Sequence, residues 1–199
     1  LGLDRRQEPS SGAEGAPPAF AFVVAALREA FEETGVLLAA PPHGCRTHPL
    51  EDSSGKPGVR AMLLAGARSF PQVLGELAVE LEAGTLEYVG HWITPEPEPR
   101  RYDTRFFATE VPRDCQAIPD RREVTQALWL TAAEALARNR AGTLPRVFPT
   151  LRTLDAMAQF DLAEDFLSHF RRRSIPRLLP RLARKDEGIE FVVEEETEG

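Results

Sequence analysis

The spacing of apolar positions along the chain predicts two early helices. Residues 19–34, AFAFVVAALREAFEET, are alanine-rich and contain no helix breaker, so they predict a helix that ends at Gly35. A second predicted helix begins at Ser69, where Gln72 follows three residues later in the pattern of a capping box. Its apolar face continues until Gly84, which is therefore its predicted end.

The pattern then changes to strands and back to helices. Three segments with strand character follow, at residues 86–95, 102–111 and 123–130. Helical spacing returns in three later segments, at residues 131–139, 149–158 and 161–172. Two segments rich in breakers or polar turn residues, 1–18 and 37–58, predict loops. Because strands and helices mix without a regular βαβ repeat, the sequence predicts an α+β fold with a mixed sheet.

Composition narrows the class of protein. The chain has 199 residues, a length typical of one domain, and its net charge of −7 argues against a nucleic-acid partner. No apolar run reaches the roughly 20 residues that span a bilayer, so we expect no membrane partner. Two cysteines, Cys45 and Cys115, are too few for a disulfide framework, and a reducing cytoplasmic location is the expectation.

The charge is concentrated near the C-terminus. Residues 171–184 contain six arginines and no acid, whereas residues 185–199 contain seven acids and one lysine. Such blocks are usually solvated, so the last fifteen residues are predicted to form an acidic tail. A short apolar group within it, Ile189 with residues 191–193, predicts one edge strand.

Three glutamates of the first predicted helix form the main chemical candidate. Glu29, Glu32 and Glu33 fall on one helical face, since positions i, i+3 and i+4 are neighbours. Like charges in this arrangement repel unless a cation or an arginine lies among them. Carboxylate oxygens suit Mg²⁺ or Mn²⁺, and Arg28 is placed to orient one carboxylate. A solvated helix face is the competing interpretation.

The segment REAFEETGV resembles the C-terminal half of a Nudix box, with six matching positions: Arg28, Glu29, Glu32, Glu33, Gly35 and Val36. The first half of the box does not match, because Phe20 stands where the pattern has a glutamate and Glu14 where it has a glycine. The glycine loop that precedes the box is also missing. Two alternatives stay open: the loop lies upstream of Leu1, or it is absent.

The downstream segments HWITPEPEPRRYDTRFF and EVTQALWLTAAEAL resemble one Nudix branch, which includes mammalian peroxisomal coenzyme A diphosphatases. This resemblance implies an α/β/α sandwich with a mixed sheet, formed by residues 1–199 as a single domain. It also implies four additions: an insertion over 1–18, a helical insertion over 57–84, C-terminal helices over 145–184 and the tail 185–199.

The resemblance implies Mg²⁺- or Mn²⁺-dependent hydrolysis of a diphosphate linkage in a nucleoside-diphosphate-type substrate, such as coenzyme A. Glu29, Glu32 and Glu33 would be the metal ligands, with Glu29 and Glu32 also catalytic and Arg28 fixing a carboxylate. Which carboxylate acts as the base stays open. Glu123, six residues before Trp129, is a further catalytic candidate, and an ordinary strand-edge glutamate is an equal alternative.

Arg100, Arg101 and Arg105 are candidates for binding the phosphates of the substrate. The alternative is solvation or an ion pair with a neighbouring acid such as Asp103, and this alternative is favoured for at least two of the three arginines. His43, Cys45 and His48 are too few for a structural zinc site, which normally has four ligands. Trp92 and Trp129 are predicted to lie in the core.

The expected partner is therefore a small-molecule diphosphate, and the oligomeric state is left open, with a homodimer as one alternative. A second function is also left open. A Nudix-like domain that departs from the box at Phe20 and Glu14 could bind a nucleotide or a protein without cleaving it.

Overall fold

The computed structural model describes residues 19–40, 44–96, 98–185 and 188–195. The predicted insertion over 1–18, His43 and the end of the acidic tail lie outside these residues. The chain forms two compact units. The first contains the described residues up to Leu86 together with Glu110–Trp129, and the second contains Glu87–Thr109 and the described residues from Leu130 onward.

The first unit is mainly helical and includes one hairpin. Its elements are α1 (Ala19–Thr34), β1 (Val36–Ala39), β2 (Gly44–Thr47), α2 (Val59–Leu64) and α3 (Phe70–Leu77). Four buried apolar side chains form its core: Phe31, Leu37, Phe70 and Val73. Phe31 comes from α1 and Phe70 and Val73 from α3, so burial of their apolar faces joins the two helices through a shared core.

Both early helices form, and one of them is shorter than predicted. The α1 helix spans the predicted residues, and the Ser69–Gln72 capping box of α3 is present. However, α3 ends at Leu77 and not at Gly84, because Ala78 adopts a left-handed conformation with φ of 52°. The chain after Ala78 pairs with β1 instead, through the hydrogen bonds Ala40 N–Glu80 O and Glu82 N–Leu38 O.

The prediction of a loop over residues 37–58 is wrong for its first part. β1 and β2 pair as an antiparallel hairpin in which Val36 faces Thr47 and Ala39 faces Gly44. Leu37 and Ala39 are buried on one face of β1. The segment is too short for period-two alternation to stand out, which is why its polar and proline-rich neighbours suggested a loop.

The second unit combines a mixed sheet with three helices. Its elements are β3 (Glu87–Ile93), β4 (Asp103–Ala108), α4 (Ala132–Arg140), α5 (Phe148–Met157), α6 (Ala163–Arg171), β5 (Arg177–Lys185) and β6 (Gly188–Glu195). The strand order is β4-β3-β5-β6, with β3 and β5 parallel and the other neighbours antiparallel. The predicted α+β class with a mixed sheet is therefore confirmed. Among the described residues, no helix is long and apolar enough to cross a membrane.

The charged C-terminal region contributes two strands to this sheet. β6 confirms the edge strand predicted within the acidic tail. β5 lies in the arginine-rich block, so the expectation of C-terminal helices over 145–184 is wrong for its last part. It joins the sheet because Arg177 and Leu178 pair with His91 and Trp92 of β3, a contact between distant residues that composition does not reveal.

The third predicted strand, residues 123–130, does not form. The segment has no regular hydrogen-bonding pattern, and Leu128 and Trp129 are 50% and 69% exposed. The prediction that Trp129 lies in the core is therefore wrong, whereas Trp92 is buried as expected. The segment begins with a turn at Asp120, whose carboxylate binds the amides of Glu123 and Val124 that a strand would use for pairing.

Cys45 and Cys115 form a disulfide bond that the sequence pattern did not predict. It links β2 to the segment after β4 and closes a loop with a sequence separation of 70 residues. Beside it, the Thr47 hydroxyl donates a hydrogen bond to the carbonyl oxygen of Gln116. These two links attach residues 115–116 to the β1–β2 hairpin within the first unit.

Candidate active site

Helix α1 presents its three glutamates as the spacing predicted. Glu29 is exposed, while Glu32 and Glu33 are half-buried beside the buried Phe31. Arg28 lies one turn before Glu32, and its Nε is 3.4 Å from the Glu32 Oε1. Arg28 is therefore paired with one carboxylate of the set, and a partly exposed pair of this kind contributes little stability.

The C-terminal end of α1 is fixed by a buried arginine. Arg60 of α2 has no exposed surface. Its Nε and Nη2 donate to the backbone oxygen of Glu32 at 3.1 and 3.0 Å, and its Nη1 donates to the oxygen of His48 at 3.4 Å. The last carbonyls of a helix have no partner within the helix. Arg60 supplies a donor to the carbonyl of Glu32, and it thereby holds the backbone that carries the glutamates.

Gly35 closes the same end and leaves no space for a side chain. It has a φ of +73°, and a Cβ atom built there would lie 2.5 Å from the His48 oxygen and 2.9 Å from Arg60 Nη1. We expect Gly35→Ala to lower the free energy of unfolding by about 3 kcal/mol, from the left-handed backbone and the overlap together. Urea denaturation measures this loss.

Gly66 provides the matched control for that substitution. Its φ is +69°, and a Cβ atom there would have no neighbour within 4 Å. Gly66→Ala should therefore cost about 1 kcal/mol, the backbone contribution alone. Equal losses for the two variants would contradict the close packing of Arg60 and His48 around Gly35.

A second acidic segment meets the end of α1. The amides of Ile118 and Asp120 donate to the oxygens of Thr34 and Glu33 at 2.7 and 3.0 Å. Asp120 is 4% exposed, and desolvation opposes its ionisation. The amides that its carboxylate binds nevertheless hold the pKa of Asp120 below its usual value, with help from the charge of Arg60.

These contacts concentrate negative charge around Glu33. Partial burial raises the pKa of Glu33 above its ordinary value. Four neighbouring carboxylates raise this pKa further, in decreasing order Glu29, Glu123, Asp120 and Glu32. The first unit therefore gathers five carboxylates whose mutual repulsion a cation would relieve.

The donor chemistry of this cluster fits a hard divalent cation, since every candidate ligand is a carboxylate oxygen. In the described parts of the chain, however, no three acidic, histidine or cysteine side chains converge closely enough to hold a metal ion. Glu29 and Glu123 are exposed and can change rotamer. Binding an ion would require such a change.

The three candidate phosphate-binding arginines all belong to the second unit. Arg105 is buried, and its Nη1 lies 3.2 Å from Asp103 Oδ1, which also contacts His91 Nε2 at 2.8 Å. Arg101 donates to the backbone oxygen of Thr94 at 3.2 Å. Arg100 is exposed. For Arg105 the structure shows the ion-pair alternative that the sequence had left open.

Sequence reasoning missed two residues that organise the acidic cluster, Asp120 and Arg60. Pro119-Asp120 is a typical turn signal, so a side-chain-to-backbone turn at Asp120 was readable from the sequence. No local signal marks Arg60, because a buried arginine is recognisable only from its distant partners, the backbone oxygens of Glu32 and His48.

The chain is similar to a solved structure and to one protein family. A crystal structure of a NUDIX hydrolase from Alicyclobacillus acidocaldarius matches with a TM-score of 0.54 and 28% sequence identity, covering 81% of this chain and 70% of that chain. The fold is therefore Nudix-like. A family model described as the NUDT19 Nudix domain matches residues 4–150, so the chain belongs to the NUDT19 Nudix domain family.

Curated relatives carry the same family name. Acyl-coenzyme A diphosphatase NUDT19 of Homo sapiens is 33% identical over 127 residues, which is 60% of this chain and 34% of that protein. Its namesake from Gallus gallus is 29% identical over 171 residues, which is 75% of this chain and 43% of that protein. The chain thus spans less than half the length of these relatives.

Proposed function

We propose that the chain hydrolyses the diphosphate linkage of a coenzyme A-type substrate with the help of Mg²⁺ or Mn²⁺. The observation that carries the proposal is the carboxylate cluster around Glu33, formed by an acidic helix face and the Asp120–Glu123 turn. Membership of the NUDT19 Nudix domain family supports it. The substrate class follows the name of the curated relatives, acyl-coenzyme A diphosphatase.

In this proposal the glutamates of α1 hold the metal, with Glu29, Glu32 and Glu33 as oxygen ligands. A divalent cation held there would neutralise charge on the diphosphate and would lower the pKa of a water molecule. Arg28 keeps the Glu32 carboxylate in place. Glu123 lies in the same negative field and is our candidate for accepting the proton of the attacking water.

The three candidate phosphate-binding arginines differ in their exposure and in their ion pairs. Arg100 and Arg101 are exposed and can reach an anionic group without first losing a carboxylate partner that the structure shows. Arg105 would have to exchange Asp103 for a phosphate oxygen, and its side chain is only 6% exposed, so a phosphate reaches it less easily. We therefore propose Arg100 and Arg101 ahead of Arg105 as phosphate contacts.

The test is hydrolysis of coenzyme A, ADP-ribose and NADH by the purified chain, with products separated by chromatography. We expect coenzyme A to be cleaved at its diphosphate, giving 3′,5′-ADP and phosphopantetheine in Mg²⁺ and none in excess EDTA. Adding Mg²⁺ back should restore the activity. A folded chain that binds these substrates without cleaving any of them would favour the non-catalytic alternative.

We also propose that the substrate is a free small molecule and that the chain acts in the cytoplasm, although the Cys45–Cys115 disulfide favours an oxidising compartment. The acidic net charge of −7 supports a small-molecule partner over nucleic acid. Cell fractionation followed by immunodetection checks the compartment, and analytical ultracentrifugation checks whether the chain forms a homodimer.

A further inference from the structure

The segment that carries Glu123 is attached to the last turn of α1. Ile118 and Asp120 donate their backbone amides to the oxygens of Thr34 and Glu33 at 2.7 and 3.0 Å. These oxygens have no partner within the helix. The attachment therefore fixes where residues 118–120 lie relative to the glutamates of α1, without using any side chain of the segment.

The Asp120 side chain then determines the path of the next four residues. Its Oδ1 accepts from the amide of Val124 at 2.8 Å, and its two oxygens accept from the amide of Glu123 at 3.3 and 3.2 Å. The turn is closed by the Arg121 amide, which donates to the Val124 oxygen at 2.9 Å. Arg121 has a φ of +61°, a conformation unfavourable for a residue with a Cβ atom.

A strained residue persists only where its surroundings determine its conformation. Here the surroundings are the Asp120 carboxylate and the end of α1. Glu123 lies within this turn, because its amide is bound by Asp120, whose own amide donates to the Glu33 oxygen at 3.0 Å. An ordinary surface turn would leave Glu123 free to move away from α1, because like charges repel.

We propose that Asp120 is a positioning residue that holds the backbone of Glu123 beside the last turn of α1, next to the glutamates. The inference rests on the proposed function, because Glu123 acts there together with Glu33. Asp120 itself is buried and uses its oxygens on backbone amides, so it supports the site through Glu123 and is not a ligand.

The chain offers a matched control in Asp52. Its Oδ1 accepts from the amides of Ser54 and Lys56 at 2.8 and 3.0 Å, so it forms a turn of the same type in the same unit. The Asp52 turn is exposed and carries none of the clustered glutamates. Asp52→Ala should therefore leave Mn²⁺ binding and hydrolysis unchanged.

The test is a double-mutant cycle between Asp120→Ala and Glu123→Gln, read by Mn²⁺ affinity and by kcat. Each single variant should weaken Mn²⁺ binding about tenfold or more. The double variant should be no worse than Glu123→Gln alone, because a displaced Glu123 has no contribution left to lose. Multiplied effects of the two substitutions would overturn the proposal and leave the proposed function standing.

Two further measurements distinguish a positioning role of Asp120 from an effect of its charge alone. Asp120→Asn retains one acceptor oxygen and should recover part of the loss seen in Asp120→Ala, whereas a purely charge-based effect would make the two variants equal. Amide exchange of Glu123 and Val124 should be at least about tenfold faster in Asp120→Ala, with the α1 amides unchanged.

Amide exchange also separates the two proposals. Failure of the wild-type chain to bind Mn²⁺ or to hydrolyse any substrate would refute the proposed function. Faster exchange at Glu123 and Val124 in Asp120→Ala would still support the positioning role, and unchanged exchange would overturn it.

Discussion

Glu32→Gln should lower kcat/KM for the diphosphate substrate by about three orders of magnitude. Glutamine keeps the size of the side chain but removes the negative charge that the proposed metal site needs. Losing several kcal/mol of transition-state stabilisation corresponds to about this factor. Among the three ligand candidates we choose Glu32 because Arg28 Nε contacts its carboxylate at 3.4 Å and its side chain is 25% exposed. Steady-state kinetics in saturating Mg²⁺ measures the effect.

Glu76→Gln serves as the control for this substitution. Glu76 lies on α3 and pairs with Arg68 at 2.5 Å, away from the clustered carboxylates. Its loss should leave kcat/KM within about twofold, since exposed ion pairs are worth less than about 1 kcal/mol. Wild-type activity in Glu32→Gln, with melting temperature also unchanged, would refute the assignment of Glu32 as a ligand.

Replacing both cysteines by serine should lower the free energy of unfolding by about 2–4 kcal/mol. The disulfide joins Cys45 to Cys115 across 70 residues, and a long closed loop restricts the unfolded chain strongly. Urea denaturation of the wild-type chain and of the double variant, both without reductant, measures the difference. The double substitution avoids a free thiol that either single variant would leave.

Reductant provides the internal control. It should destabilise the wild-type chain by the same amount and leave the double-serine variant unchanged. A wild-type chain equally stable with and without reductant would contradict the stabilising role of this bond. The result also bears on the compartment, because disulfides persist in oxidising surroundings and are rare in the cytosol.

The disulfide lies near the segment that completes the acidic cluster. Cys115 and Gln116 are attached to β2, and Ile118 and Asp120 are attached to the end of α1. The path from residue 115 to the Asp120 turn is thus anchored at four positions. Loss of the bond would release the first of these anchors while the hydrogen bonds to α1 remain.

Local signals in the sequence predicted several elements correctly. The capping box at Ser69 marks the start of α3, because the motif satisfies its own helix-end amides within three residues. The α1 helix and its row of glutamates were also readable, since helical periodicity places i, i+3 and i+4 on one face whatever the rest of the chain does.

Predictions failed where a distant partner determined the outcome. The α3 helix ends early because residues 80–82 pair with β1, and β5 forms because β3 offers it an edge. The predicted strand over 123–130 is absent although its residues favour one. The Asp120 carboxylate accepts hydrogen bonds from the first amides of this segment, and Trp129 is exposed. Tertiary hydrogen bonds override propensity in each case.

By itself, the sequence determined the α+β class, the resemblance of the α1 segment to half of a Nudix box and the face on which its glutamates lie. Only the tertiary structure decided that Arg60 holds the end of that helix and that the amide of Asp120 donates to the same end. The physical reason is sequence distance. Helix periodicity and caps act within a few residues, whereas Arg60 and Asp120 act on a helix that ends 26 and 86 residues before them, at Thr34.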